Sequence, residues 1–153
     1  MKKLLCLLPL LLLVSCLDAT YVTQTFEFEG NRWPTTDAKT FKVNLEKDME
    51  HATIKLVFSH VFEPQYASVP LSGTLTLPSG KTEAINLTLQ LKDPQGAPLS
   101  DCAGDVCDLT AVIKEGVNLE KGVYEFTVHN DFNGPYLPNV LALSFTIDSS
   151  NHP

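Results

Sequence analysis

Residues 71–93 read LSGTLTLPSGKTEAINLTLQLKD, and the spacing of their apolar side chains decides the fold. Leu75 and Leu77 run into Pro78-Ser79-Gly80-Lys81, after which Ile85, Leu87, Leu89 and Leu91 recur at every second position. A period of two puts alternate side chains on opposite faces of a strand, and the proline and glycine supply turn dihedrals. The stretch therefore predicts a hairpin with one wet face. An amphipathic helix would need apolar residues three and four apart, and no long stretch of the chain keeps that spacing.

The alternation extends outward in both directions. Val22, Phe26 and Phe28 alternate with Thr23, Thr25, Glu27 and Glu29; Phe41, Val43 and Leu45 alternate with Lys42, Asn44 and Glu46. Ile54, Leu56, Phe58, His60 and Phe62 form a further apolar series, against Lys55 and Ser59. Beyond the hairpin, Asp93-Pro94-Gln95-Gly96 signals a second turn. Three more strands follow, at Leu109/Ala111/Ile113, Tyr124/Phe126/Val128 and Leu141/Leu143/Phe145/Ile147. About eight short strands divided by Gly, Pro, Asn and Asp turns predict an all-β fold, an antiparallel immunoglobulin-like β-sandwich. Leu119-Glu120-Lys121-Gly122-Val123-Tyr124 resembles the tyrosine corner of such sandwiches, in which a tyrosine hydroxyl bonds back to nearby backbone. The plainer alternative makes Tyr124 an ordinary core aromatic.

Composition bounds the rest. At 153 residues, 44% hydrophobic and 19% charged, the chain has material for one domain and one core. The formal charge is −7, and loss of a leader carrying Lys2 and Lys3 would leave 9 basic against 18 acidic residues. Such a surface repels phosphates and anionic headgroups, which argues against nucleic acid and acidic lipid as partners.

The first segment sets the expected location. Lys2 and Lys3, an apolar run over residues 4–14 and then Ser15 have the layout of a secretory signal. The run is too short for a helix to cross a bilayer core, which takes about 20 residues. Leu13-Val14-Ser15-Cys16 resembles the lipobox of bacterial lipoproteins. That resemblance implies cleavage before Cys16 and acyl chains, palmitate among them, on that cysteine; two or more chains suffice for stable anchoring. The expected organisation is a removed signal peptide over 1–15, a lipidated tether over 16–20, a β-sandwich over 21–148 and a flexible tail over 149–153.

Cys102 and Cys107, in DCAGDVCD, are most simply a disulfide in an exported chain. A redox-active pair, or a metal site with Asp101, Asp105 and Asp108, are the alternatives; the spacing is not Cys-x-x-Cys and no histidine is near in sequence. His51, His60, His129 and His152 occupy strand ends, a strand face and the tail, where packing or simple exposure is the ordinary role. No nucleophile elbow, phosphate loop or zinc motif occurs, so no catalytic residue, cofactor, metal or small-molecule substrate is expected. Trp33, with Phe132 and Tyr136 in HNDFNGPYLPNV (129–140), forms a candidate binding loop. Exposed in a coplanar row, these aromatics would make a lipid-anchored glycan-binding module; buried, they would plug the open end of the sandwich.

The order of pieces resembles the gliding-motility lipoprotein GldH family of the Bacteroidetes. The resemblance is carried by the lipobox; Asn31-Arg32-Trp33 with Asp37 and Phe41; Leu77-Pro78-Ser79-Gly80; Leu91-Lys92-Asp93 with Gly96; Leu119, Gly122, Tyr124, Phe126 and Val128; and Leu137-Pro138-Asn139-Val140. Tyr66-Ala67-Ser68-Val69-Pro70-Leu71 and the Cys102/Cys107 pair depart from the family pattern. What the resemblance implies is a non-enzymatic accessory of the envelope machinery for gliding, linked to type IX secretion and acting through protein contacts. Its expected place is the outer membrane, facing the periplasm.

Overall fold

The computed structural model describes residues 21–149. The expected signal peptide, the tether with Cys16, His152 and residues 150–153 lie outside the described residues. Eleven strands follow in order: β1 (Tyr21–Glu27), β2 (Arg32–Pro34), β3 (Lys39–Leu45), β4 (Met49–Val61), β5 (Ser68–Thr76), β6 (Thr82–Gln90), β7 (Asp101–Ala103), β8 (Val106–Leu119), β9 (Gly122–Asn130), β10 (Tyr136–Pro138) and β11 (Val140–Ser149). One 3-10 turn, Glu29–Asn31, separates the first two. The eight long strands are the eight that the alternation predicts. Ser149, expected in the tail, closes β11 opposite Ala52.

One sheet has the order β1-β11-β4-β8-β7 and the other β3-β9-β5-β6, with β2 and β10 forming a small ribbon. All pairs are antiparallel. Leaving out the three-residue strands, the long ones run first-eighth-third-sixth in one sheet and second-seventh-fourth-fifth in the other. That is the order of a jelly roll, two Greek keys folded into a sandwich. It refines the immunoglobulin-like reading within the predicted sandwich class.

The founding hairpin is β5–β6. Its turn is closed by the Gly80 amide donating to the Leu77 carbonyl and the Leu77 amide donating to the Lys81 carbonyl, both at 2.8 Å. Gly80 has φ +83, the left-handed conformation that glycine adopts without steric cost. Between the sheets, Phe41, Phe126 and Phe145 stack with ring centroids 5.3 to 6.4 Å apart. Ile54, Leu56 and Phe58 from β4, and Leu71 and Leu75 from β5, are buried around them.

At the turn into β9 the Tyr124 hydroxyl donates to the Glu120 carbonyl at 3.0 Å, the bond expected of a tyrosine corner. Burial pushes the phenol's pKa up, so it stays a neutral donor. Tyr124→Phe removes that donor from an otherwise unchanged ring. The expected loss is about 1 kcal/mol in urea unfolding, with the denaturant slope unchanged.

The two long sides of the sandwich differ. On one, β1 lies over β3: Phe26 packs on Phe41 at 5.0 Å and the Lys42 amide donates to the Gln24 side chain. On the other, the edge strand β6 faces β8, which past the three residues paired with β7 has an open edge of its own, and among the described residues the two share no backbone pairing. A salt bridge from Lys114 to Glu83 latches them, with Lys81 3.4 Å from the same carboxylate. Those lysines hold the Glu83 pKa below the usual carboxylate range. The latch therefore persists at neutral pH and loosens only as pH falls through that lowered value. Past it, a groove of about 320 Å³ separates Leu87–Gln90 from Leu109–Val112.

The described chain begins at one end of the sandwich, where Tyr21 pairs with Asp148 and Asp148 with Thr53. Seven residues of strand, about 23 Å at 3.3 Å per residue, carry β1 to the opposite end.

Candidate functional site

That opposite end gathers the loops between β1 and β3, β4 and β5, β6 and β7, and β9 and β11. Its most constructed feature is the β7–β8 hairpin. Cys102 and Cys107 stand directly opposite each other, Cα atoms 4.0 Å apart, and are joined by a disulfide. Gly104, at φ +64, opens the two-residue turn between the strands. With the sulfurs bonded to each other, neither is a thiolate ligand. Among the described residues no group of three or more His, Cys, Asp or Glu could hold a metal ion. Closing a six-residue loop stabilises by about 2 kcal/mol in the chain-entropy model. Cys102→Ser/Cys107→Ser should lose about that much in urea unfolding, and reduction of the unsubstituted protein should reproduce the loss.

His60 pairs with Cys107 across β4 and β8 and is buried. Its Nδ1 lies 2.8 Å from the Val61 carbonyl and must donate, because a carbonyl only accepts. Nε2, 2.7 Å from the Ser100 hydroxyl, is then free to accept from it. Both ring nitrogens are engaged, so His60 fastens the 91–100 loop to β4. His51 and His129 are exposed.

Phe62 departs from the sequence reading. Placed by alternation on the buried side of its strand, it is 45% exposed. The strand ends one residue earlier, and Glu63 takes φ 54, which swings the chain away before position 62 can pack. Phe62 instead lines a cavity of about 370 Å³ with His60, Glu63, Leu91, Lys92 and the disulfide.

The candidate aromatic row is not assembled as a stacking platform. Trp33 is 0% exposed, packed on Phe28 at 5.2 Å, with its indole Nε1 donating to the Asp37 carbonyl at 2.7 Å. Asn130 reaches across from β9 and donates to the Trp33 and Pro34 carbonyls at 3.2 Å, fixing the β2–β10 ribbon to the four-stranded sheet. Phe132 is half-buried against Tyr66, whose hydroxyl donates to the Pro138 carbonyl at 2.7 Å. Burial pushes the Tyr66 pKa up strongly. Tyr136 is half-buried beneath the Arg32 guanidinium, 4.8 Å from its ring centroid. The structure thus brings Trp33 and Tyr136 onto one ribbon, buries the first and leaves no coplanar exposed row. Tyr66 and the exposed Leu99 and Val106 carry no signal in the sequence, since they fall in a turn-rich segment and at a strand start, where periodicity is silent.

The sequence model for the GldH lipoproteins matches residues 20–147, the whole of the sandwich as far as Ile147. The chain belongs to the GldH lipoprotein family. Membership points to a gliding-motility lipoprotein, anchored to a membrane of the cell envelope. No curated protein matches the chain. Among solved structures it is similar to an exo-beta-1,3-galactanase from Phanerochaete chrysosporium with galactose, at 9% identity and TM-score 0.33, covering 80% of this chain and 29% of that one. It is also similar to the Eiger TNF of S. frugiperda, at 7% identity and TM-score 0.38, covering 88% and 94%. A third is the VP2 subviral particle of infectious bursal disease virus, at 13% identity and TM-score 0.35, covering 86% and 32%. The chain thus spans about a third of the galactanase and of the viral protein. Likenesses this weak carry no argument about fold or function.

Proposed function

We propose that this GldH lipoprotein is a non-enzymatic accessory of the gliding or type IX secretion machinery. Lipid on Cys16 holds it at the outer membrane, facing the periplasm, and it acts through protein contacts. The observation that carries this reading is the open side of the sandwich. There, among the described residues, β6 and the part of β8 beyond Asp108 each present an unpaired backbone edge to the groove between them, and unpaired edges are templates for strand addition by a partner. The buried Trp33 favours this over glycan binding. With Cys16 only five residues before Tyr21, the β1 start faces the membrane and the disulfide end points away from it.

Affinity purification of the full-length lipidated protein from native membranes, followed by mass spectrometry, tests the proposal. Recovery of gliding or type IX components that is lost in Cys16→Ala, and weakened by Val112→Lys beside the groove, is the expected result. Absence of any stable protein partner in mild detergent would overturn it.

A further inference from the structure

We propose that the disulfide end carries a docking site for an extended, basic segment of a protein partner. One bulky apolar side chain of that segment would enter the cavity beside His60, and its lysines or arginines would lie against Glu63, Asp101 and Asp105. This rests on the reading of the chain as a lipoprotein that acts through protein contacts, and it assigns one of those contacts a place and a chemistry.

Apolar exposure is concentrated here. Of the five large hydrophobic side chains exposed among the described residues, Phe62 at 45% lines the cavity itself, and Leu99 at 51% and Val106 at 46% are the chain neighbours of Pro98 and Cys107, which line it. Val61 pairs with Val106, the Phe62 amide donates to the Asp105 carbonyl at 2.9 Å, and Leu99 precedes the Ser100 that holds His60. The three residues come from separate segments that the fold brings to this end of the sandwich. Solvent-facing apolar residues around a concavity mark an interaction site, and a small molecule inside the cavity would leave the rim in water. A polypeptide lying across the mouth would cover both.

The floor is rigid before any partner arrives. The disulfide fixes the hairpin, both His60 nitrogens are bonded, and the Lys92 ammonium donates to the Pro64 carbonyl at 2.7 Å. A preformed site loses little conformational freedom on binding.

Charge selects the partner. Glu63, Asp101 and Asp105 are exposed, and none is in an ion pair among the described residues. The cation at the mouth, Lys92, already serves Pro64. A cationic segment is steered to such a rim, while nucleic acid and anionic lipid are repelled. A second copy of this chain, itself strongly acidic, is a poor match.

The test uses the full-length lipidated protein in nanodiscs of zwitterionic lipid, probed with a random dodecapeptide library displayed on phage and counter-selected on empty nanodiscs. Enriched peptides should place Lys or Arg within two residues of Phe, Leu, Ile or Trp. Binding of the synthesised consensus peptide should weaken at least tenfold in Asp101→Lys/Asp105→Lys and in Phe62→Ala, and should fall as salt rises. Circular dichroism would verify that these surface variants fold. Any one of the following would overturn the proposal: no enrichment over empty nanodiscs, enrichment of acidic peptides, indifference to the charge reversal, or self-association of the protein through this end. Peptide binding that is lost in Val112→Lys instead would place the site in the β6–β8 groove, overturning this inference while the proposed function stands. Absence of any stable protein partner from native membranes with the peptide results intact would do the opposite, sinking the proposed function and leaving this site in place.

Discussion

Gly73→Ala should destabilise the protein by about 3 kcal/mol or more, a large share of the roughly 5–15 kcal/mol typical of a domain. Gly73 sits in the middle of β5, opposite Val128 on β9 and Ile85 on β6. It lies between the buried Leu71 and Leu75 on the inward face. A Cβ there would stand 2.5 Å from the Thr127 carbonyl oxygen and 2.9 Å from the Phe126 ring. The first of these neighbours is backbone of a central strand, which has no rotamer to change. Relief requires separating β5 from β9 or turning Phe126 out of its stack with Phe41 and Phe145. Gly80→Ala is the control. Its Cβ would meet nothing within 4 Å, so only the strain of φ +83 remains, about 1 kcal/mol. Urea unfolding of both variants checks the ranking. Equal losses would mean that β5 and β9 yield more easily than their pairing suggests.

The close approach at Gly73 comes from the structure, because the alternation legible in this strand starts at Leu75. The eight long strands are legible in the sequence because alternation requires no knowledge of neighbours. The tyrosine corner is legible because its bond spans only four residues. Strand order is not, since nothing local tells β6 to follow β5 at a sheet edge or β11 to enter between β1 and β4. The three-residue strands β2, β7 and β10 are too short to show a period. The disulfide is favoured by spacing in an exported chain, but that it lies directly across a hairpin depends on the register set by Gly104 and Asp105. The cavity is invisible in sequence. Its wall combines the end of β4, the 91–98 loop and the hairpin, and its rim depends on Phe62 breaking the alternation that its own strand establishes.

Trp33→Ala should cost about 3–5 kcal/mol, the usual range for emptying a core site of this size, and its comparison with Trp33→Phe separates packing from recognition. The indole fills space against Phe28 in the buried cluster that also holds Leu137, its partner across the ribbon. Removal leaves a void that β2 cannot collapse into, because Asn130 pins the Trp33 and Pro34 carbonyls. Among the described residues the Asn130 Oδ1 has no hydrogen-bond partner although it is buried, so a loosened ribbon would leave the amide's donor side unsatisfied as well. Trp33→Phe keeps an aromatic ring and loses the Nε1 bond to Asp37, for an expected cost of about 1 kcal/mol. Trp33 is the one tryptophan in the chain, which makes its fluorescence a direct readout. A buried plug gives blue-shifted emission, weak quenching by acrylamide and no response to oligosaccharides. Red-shifted emission that sugars alter would mean that the ribbon opens to expose a stacking surface, and the glycan-binding reading would displace the assembly role.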